Sequence, residues 1–230
     1  MTLRITFLGT SGAVPTTERS SSGILVNIHG DKFLFDAGEG IQRQMMHYGT
    51  GFGIRDIFLT HIHGDHIFGL LGLIQTMDFN GREESLFIHT PPGTKNYLDN
   101  LVALCGTGLG YLVITSETHP NTTIKKTPDY EIKTFKTDHK TSSTGYALIE
   151  TQRKGRFFRE KAEELGVPVG KDFSILHEGN SITLKDGTIV SPEQVIGPPR
   201  PGRKIAYTGD TRPTKTTIEA VSGFDLLIHD

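Results

Sequence analysis

Cysteine is nearly absent from this chain of 230 residues, which carries only Cys105. A single thiol excludes an internal disulfide framework and suits a reducing compartment. An excess of charge is also missing: 24 Lys and Arg stand against 26 Asp and Glu, for a formal net charge of −2. No global basic field draws nucleic acid, so any polyanion must meet a local patch. No apolar run approaches the length of a bilayer crossing, so no membrane partner is expected. No targeting leader is expected either, because Met1 to Arg4 runs straight into a strand-like segment. Internal repeats and low-complexity tracts are lacking. What remains is the profile of a cytoplasmic protein with enough chain for one well-buried domain.

Glycine, in contrast, is plentiful at 27 residues, which signals many tight turns and close backbone approaches. Between the glycines, short strand-like runs alternate with helix-like ones. Strands are expected over 5–8, ending at Gly9, and over 24–28 and 32–35, paired as a hairpin around Gly30 and Asp31. Others are expected over 56–59, 86–89, 130–136, 146–150, 205–208 and 226–228. Apolar spacing predicts helices over 42–48, 67–77, 94–104 and 214–221.

Residues 151–203 differ in composition. Arg153, Lys154, Arg156, Arg159 and Lys161 cluster there, an amphipathic stretch covers 157–165, and the segment closes on Gly197-Pro198-Pro199-Arg200-Pro201-Gly202-Arg203. It reads as an inserted arm rather than an independent core. Its Lys and Arg side chains can meet phosphates without reading sequence. On charge alone a solvated face is an equal reading, because Glu160, Glu163 and Glu164 dilute the cluster.

The most specific feature is Leu59-Thr60-His61-Ile62-His63-Gly64-Asp65-His66. Three imidazoles and a carboxylate within six residues are costly to bury unless something pairs them, and a divalent ion pairs them all. Residues two apart on an extended chain share a face, so His61 and His63 can address one ion. Asp65 and His66 follow where the chain turns into a helix and can reach a second. Partners must come from elsewhere. His139, after the strand over 130–136, and Asp210, after the strand over 205–208, stand where strands give way to loops. Each alone would be a turn or capping residue; the first cluster gives them weight as ligands. His29, His47, His89, His119, His177 and His229 read as surface or packing residues.

The pattern H-x-H-x-D-H resembles the metallo-β-lactamase superfamily. Its flanks narrow the likeness to the tRNase Z (ribonuclease Z) family: Phe7 to Thr16, Phe35-Asp36-Ala37-Gly38-Glu39-Gly40-Ile41-Gln42-Arg43-Gln44, Thr60 to Leu73, Thr137-Asp138-His139 and Ala206 to Pro213. The likeness covers essentially the whole chain. It implies an α/β fold, a four-layer αββα sandwich, with a protruding arm, 151–203, that grips tRNA. It implies that His61, His63, His139 and Asp210 hold one zinc ion, and Asp65, His66 and a bridging Asp210 the other, with manganese as an alternative metal. The family's pattern places one more histidine further along, so the chain looks short relative to the family and its second site one ligand short. The implied activity is removal of 3′ trailers from precursor tRNA, leaving a tRNA 3′-hydroxyl and a 5′-phosphorylated trailer, and the implied state is a homodimer. Asp65, within reach of both a metal and the attacking water, is the expected general base; Arg153, Lys154, Arg156, Arg159, Lys161, Arg200 and Arg203 are the expected RNA contacts. The rivals are another phosphodiesterase or esterase of the same fold, and a catalytically impaired RNA-binding subunit.

Overall fold

A computed structural model describes residues 3–106 and 108–230. The expected lead-in at Met1 and Thr2 therefore lies outside the described residues. In chain order the elements are β1 (Leu3–Gly9), β2 (Gly23–Ile28), β3 (Asp31–Phe35), α1 (Ile41–His47), β4 (Asp56–Phe58), α2 (Gly64–Ile67), α3 (Leu70–Phe79), β5 (Leu86–Thr90), α4 (Lys95–Ala103), β6 (Val113–Glu117), β7 (Thr123–Lys126), β8 (Tyr130–Lys136) and β9 (Thr144–Glu150). There follow α5 (Arg159–Glu164), α6 (Lys171–Glu178), β10 (Ile182–Thr183), β11 (Ile189–Val190), α7 (Pro192–Val195), β12 (Lys204–Tyr207), α8 (Lys215–Val221) and β13 (Leu226–Ile228). The chain divides into two compact units. One comprises 1–126, 132–148 and 204–230, and the other 127–131 and 149–203.

The larger unit is built on two sheets, in the orders β1-β2-β3-β4-β5-β6 and β13-β12-β9-β8-β7. The first three strands pair antiparallel, and β3 to β6 pair parallel. Alternation along the strands sorts side chains by type. Leu34, Ile57, Leu86 and Ile88 turn to one face and join Ile41, Met45, Leu70, Leu73, Ile74, Met77 and Leu98 of the helices α1, α3 and α4 in an aliphatic core. Phe35 and Phe58 turn to the other face. There Phe58 meets Tyr146 of β9 (5.3 Å between ring centroids) and Phe35 meets Tyr207 of β12 (6.2 Å). Helix α8 covers the second sheet, with Thr217 Oγ1 donating to the Lys136 carbonyl at 3.2 Å. The result is the expected αββα sandwich.

Most element positions agree with the sequence reading, with some departures. The hairpin turn is His29-Gly30, one residue earlier than expected, because His29 itself takes φ 54 and Ile28 pairs with Asp31. The helix expected over 67–77 is two helices, α2 and α3, broken at Phe68 and Gly69. β6 and β7 were not expected. His89 packs between the sheets: it stacks on Phe58 at 4.7 Å and hydrogen-bonds Asp56 (3.0 Å) and Ser116 (2.9 Å).

The second unit, where an inserted arm was expected, carries an apolar cluster of its own. Ala162, Val167, Leu176, Ile182, Val190 and Val195 are buried together, with Phe157, Phe173, Leu184 and Ile196 packed against them. Its two chain ends run antiparallel, bridged at Arg153–Arg200 and Phe157–Ile196. Gly155 is required there, since a Cβ would collide with the Gly197 carbonyl.

Candidate metal centre

The cluster forms where strands end. β4 is only three residues long; the chain bends at Thr60, and His63 is extended where it caps the start of α2. Tyr146 Oη donates to the Leu59 carbonyl at 2.7 Å, and the Thr144 N–H donates to the Thr60 carbonyl at 2.9 Å, so the second sheet pins this segment. Helix α2 then carries Asp65 in its first turn and buried His66 beside it. His139 and Asp210 each follow their strand by three residues. Gly209, at φ 57, lets the chain pass Thr60, because a Cβ there would collide with the Thr60 side chain. Asp210 is thereby delivered to the cluster.

One ligand atom from each of His61, His63, His139 and Asp210 lies within 4.8 Å of all the others. His61 Nε2 is 3.0 Å and His139 Nε2 3.2 Å from His63 Nδ1. Asp210 Oδ2 is 3.8 Å from His61 Nε2 and 3.9 Å from His139 Nε2. Tetrahedral zinc with bonds of about 2.0–2.1 Å sets its ligands roughly 3.3 Å apart, so these spacings fit such an ion. Beside them, His66 Nε2 lies 3.2 Å from Asp210 Oδ1 and 3.5 Å from Asp65 Oδ2. His66 Nε2 and Asp210 Oδ1 are both buried and neither makes an aligned hydrogen bond. A facing imidazole nitrogen and carboxylate oxygen left in this way are what a second ion would satisfy. The donor set therefore fits one ion among His61, His63, His139 and Asp210, and beside it offers three donors, from His66, Asp65 and Asp210, to a second.

The charges agree. Burial, with the neighbouring His66 adding to it, pushes the His61 pKa down to about 4. Burial also lowers His139. Both imidazoles are thus neutral at neutral pH, the form that ligates. Contact with the His66 imidazole holds Asp210 well below the usual carboxylate range. At His66 the charges run the other way: burial opposes its charge, but Asp36 and Asp210 outweigh it and push its pKa up to about 10, so an ion at Nε2 would have to displace a proton.

Asp36 was missed as a site residue by the sequence reading, although its motif was noted. It is fully buried and accepts from the Thr60 N–H (2.7 Å), Thr60 Oγ1 (2.8 Å), His66 Nδ1 (2.7 Å) and Tyr207 Oη (2.7 Å). Burial works against its charge, but the His66 imidazole, the Thr60 N–H and the nearby His61 lower its pKa overall. A carboxylate holding the far nitrogen of a ligating imidazole fixes ring orientation and tautomer.

Against known proteins, Ribonuclease Z of Haloferax volcanii is 57% identical over 230 residues, covering 100% of this chain and 73% of that protein. The chain belongs to the ribonuclease Z family. Ribonuclease Z of Methanosarcina acetivorans is 48% identical over 229 residues, covering 99% of this chain and 74% of that one. The chain also falls within the family whose model is described as Anti-Pycsar protein Apyc1, matched over residues 3–158. That span holds His61 to His66 and His139 and stops before Asp210. Among solved structures, human tRNase Z, short form, superposes with a TM-score of 0.67 at 24% identity, over 98% of this chain and 76% of that one. The metallo-β-lactamase fold protein YhfI from Bacillus subtilis gives 0.63 at 17%, over 98% and 70%. These two show the fold. Family membership makes the chain a hydrolase of the nuclease class, and the solved structures give it the metallo-β-lactamase fold.

The remaining site residues divide. In this ribonuclease Z family member Asp65 stands at the cluster, its Oδ2 accepting the Ala13 N–H at 2.7 Å. The expected RNA contacts lie in the second unit and are not alike. Arg203 forks onto Glu150 through Nε and a terminal nitrogen, each at 2.7 Å, and Arg153 approaches the same carboxylate at 3.5 Å. Arg200 Nε reaches the Lys154 carbonyl at 3.3 Å, and Lys154 Nζ the Glu178 carbonyl at 3.2 Å. Arg159 pairs with Glu163 at 2.7 Å. Lys161 lies over the Phe158 ring at 5.0 Å, and Arg156 is exposed. Among the described residues no helix is long and apolar enough to cross a membrane.

Proposed function

We propose that this chain is a dizinc endoribonuclease that cuts precursor tRNA by hydrolysis: water's oxygen bonds to phosphorus, the P–O3′ bond breaks, and a tRNA 3′-hydroxyl and a 5′-phosphorylated trailer are released. The observation that carries the reading is the match, along the entire chain, to Ribonuclease Z at 57% identity. His61, His63, His139 and Asp210 would hold one ion, and Asp65, His66 and Asp210 the other. When bound, the zinc pair supplies Lewis-acid charge for the phosphoryl oxygens and an acidified water near neutral pH.

The chain's own groups do the rest. His61 and His139, kept neutral, present lone pairs. Asp36 holds His66 by Nδ1 so that Nε2 faces the cluster. Asp65 keeps one oxygen occupied by the Ala13 N–H, which fixes its direction, and takes the water's proton on the other. Exposed cations of 149–203 bind tRNA phosphates, with affinity from charge and shape rather than sequence, as suits an enzyme serving many tRNAs. Manganese is an alternative metal, and a cytoplasmic homodimer is the proposed working form.

The test maps 3′ ends on a precursor tRNA, with the chain supplied with zinc or with manganese, beside a small chromogenic phosphodiester. Metal-dependent cleavage to a mature 3′-hydroxyl end is expected. A chain that hydrolyses the small diester but leaves precursor tRNA whole is instead a general phosphodiesterase. One that binds tRNA and cuts neither is a binding subunit.

A further inference from the structure

The buried carboxylate of Asp36 is the hub from which ligand orientation spreads. Its Oδ1 takes the Thr60 N–H, and its Oδ2 takes Thr60 Oγ1, His66 Nδ1 and Tyr207 Oη. An ionised carboxylate only accepts, so both hydroxyls must donate to it. Each choice then determines the next. Thr60, having given its one hydrogen to Asp36, can only accept from His61 Nδ1, 3.1 Å away. That places the His61 hydrogen on Nδ1 and leaves Nε2 bare toward His63 and Asp210. Tyr207, having given its hydrogen, accepts from Ser22 Oγ at 2.8 Å. Of the donors to Asp36, Tyr207 alone comes from β12, the strand that ends three residues before Asp210.

We propose that Tyr207, backed by Ser22, is a positioning residue for the metal centre. Its hydroxyl ties the strand that delivers Asp210 to the carboxylate that orients His61 and His66. The inference rests on the dizinc reading. A purely structural role predicts something different: one lost hydrogen bond, read as a lower melting temperature, with ligand geometry unchanged.

The experiment uses the full chain and its Tyr207→Phe variant, which keeps the ring and removes only the hydroxyl. Zinc affinity is measured by competition with a chromophoric chelator, and ligand geometry by the visible absorption of the cobalt(II)-loaded protein. Loss of a group bonded directly to a ligand weakens metal binding about 10- to 100-fold; Tyr207 stands one hydrogen bond further out, so a loss of about tenfold is expected, with a changed cobalt spectrum. Ser22→Ala, which leaves Tyr207 in place, shifts both in the same direction and by less. A Tyr207→Phe chain with wild-type cobalt spectrum and zinc affinity overturns the proposal, even if it melts at a lower temperature. If Tyr207→Phe does not fold, Ser22→Ala decides on the same two readouts, and wild-type values there overturn it. A wild-type chain that takes up neither ion refutes the metal reading and this inference with it, whereas a wild-type chain that binds both beside an unaltered variant refutes the inference alone.

Discussion

Charge is handled in opposite ways at the metal cluster and in the segment 149–203. At the cluster, charged and polar groups are buried and constrain one another: Asp36 and His61 are both 0% exposed, and His66 is 1%. Each hydrogen bond there dictates the next, so one group out of place misaligns several. In the segment, Arg156, Arg159 and Lys161 are exposed, with local partners at most. Such cations act by number rather than by placement. The contrast teaches what kind of damage each region can take. Changes at the cluster should be catastrophic and specific, and changes among the exposed cations graded and additive.

The largest effect is expected at Asp65. A positioned general base contributes roughly 10²–10⁴-fold, so Asp65→Ala should lower single-turnover cleavage of precursor tRNA by about 10³-fold or more once lost metal binding is added. Binding of the same tRNA in a filter or mobility assay should stay within about threefold, because phosphate contacts dominate affinity. Asp65→Asn retains an acceptor for the Ala13 N–H and separates the proton-accepting role from the loop contact. It should fail in cleavage nearly as badly. Cleavage by either variant at the wild-type rate removes Asp65 from the mechanism and erases the contrast between the two regions.

How much of this could be read in advance follows from sequence distance. His61, His63, Asp65 and His66 declare themselves because four ligand types sit in six residues. His139 and Asp210 are legible only as partners that such a run requires. Asp36 is not legible as a hub, because its donors Thr60, His66 and Tyr207 lie 24, 30 and 171 residues away and no local pattern links them. The four-layer sandwich was legible only through the family resemblance that the motif and its flanks carry; the alternation of strands and helices was compatible with it. β7 was not: Thr123-Ile124-Lys125-Lys126 has one apolar residue, as an edge strand with little burial allows. The small core of the second unit escaped because its members, from Ala162 to Val195, come from separate short elements without a shared period. The one-residue error at the hairpin came from expecting a glycine-led turn, where His29 takes the left-handed conformation itself.

The next effect tests whether the second unit has one site that resembles the cluster. Glu150 is such a candidate, with its side chain 1% exposed between Arg203 and Arg153. Burial opposes its charge, but the Arg203 guanidinium and backbone N–H outweigh it and pull its pKa down to about 2, from 4.5. A folded-state pKa below the unfolded one gives stability that is fully present above about pH 4.5 and lost as pH falls toward 2. The contribution at neutral pH is on the order of 2–3 kcal/mol. Glu150→Gln should therefore speed hydrogen exchange of amides in 149–203 by roughly 30- to 160-fold at pH 7, with the difference from wild type shrinking below pH 4. A difference that does not shrink there would show that packing, not charge, holds Glu150.

The smallest effects belong to the exposed cations, and they sharpen the comparison most directly. Arg156→Gln and Lys161→Gln each remove one positive charge without touching the small core. If each meets a tRNA phosphate, the slope of log affinity against log salt should fall by about 0.7–0.9 per substitution, and the double variant should lose about twice that. KM for precursor tRNA should rise a few-fold near physiological salt, with kcat unchanged, because ground state and transition state lose the contact equally. Hydrolysis of a small chromogenic phosphodiester, which carries no distant phosphates, should be unaffected. The partly engaged residues give the internal control: Arg203→Gln should act through Glu150 and protein stability rather than through the salt slope. An unchanged slope for Arg156→Gln and Lys161→Gln would make their face a merely solvated one. The tRNA grip would then have to come from elsewhere in the chain.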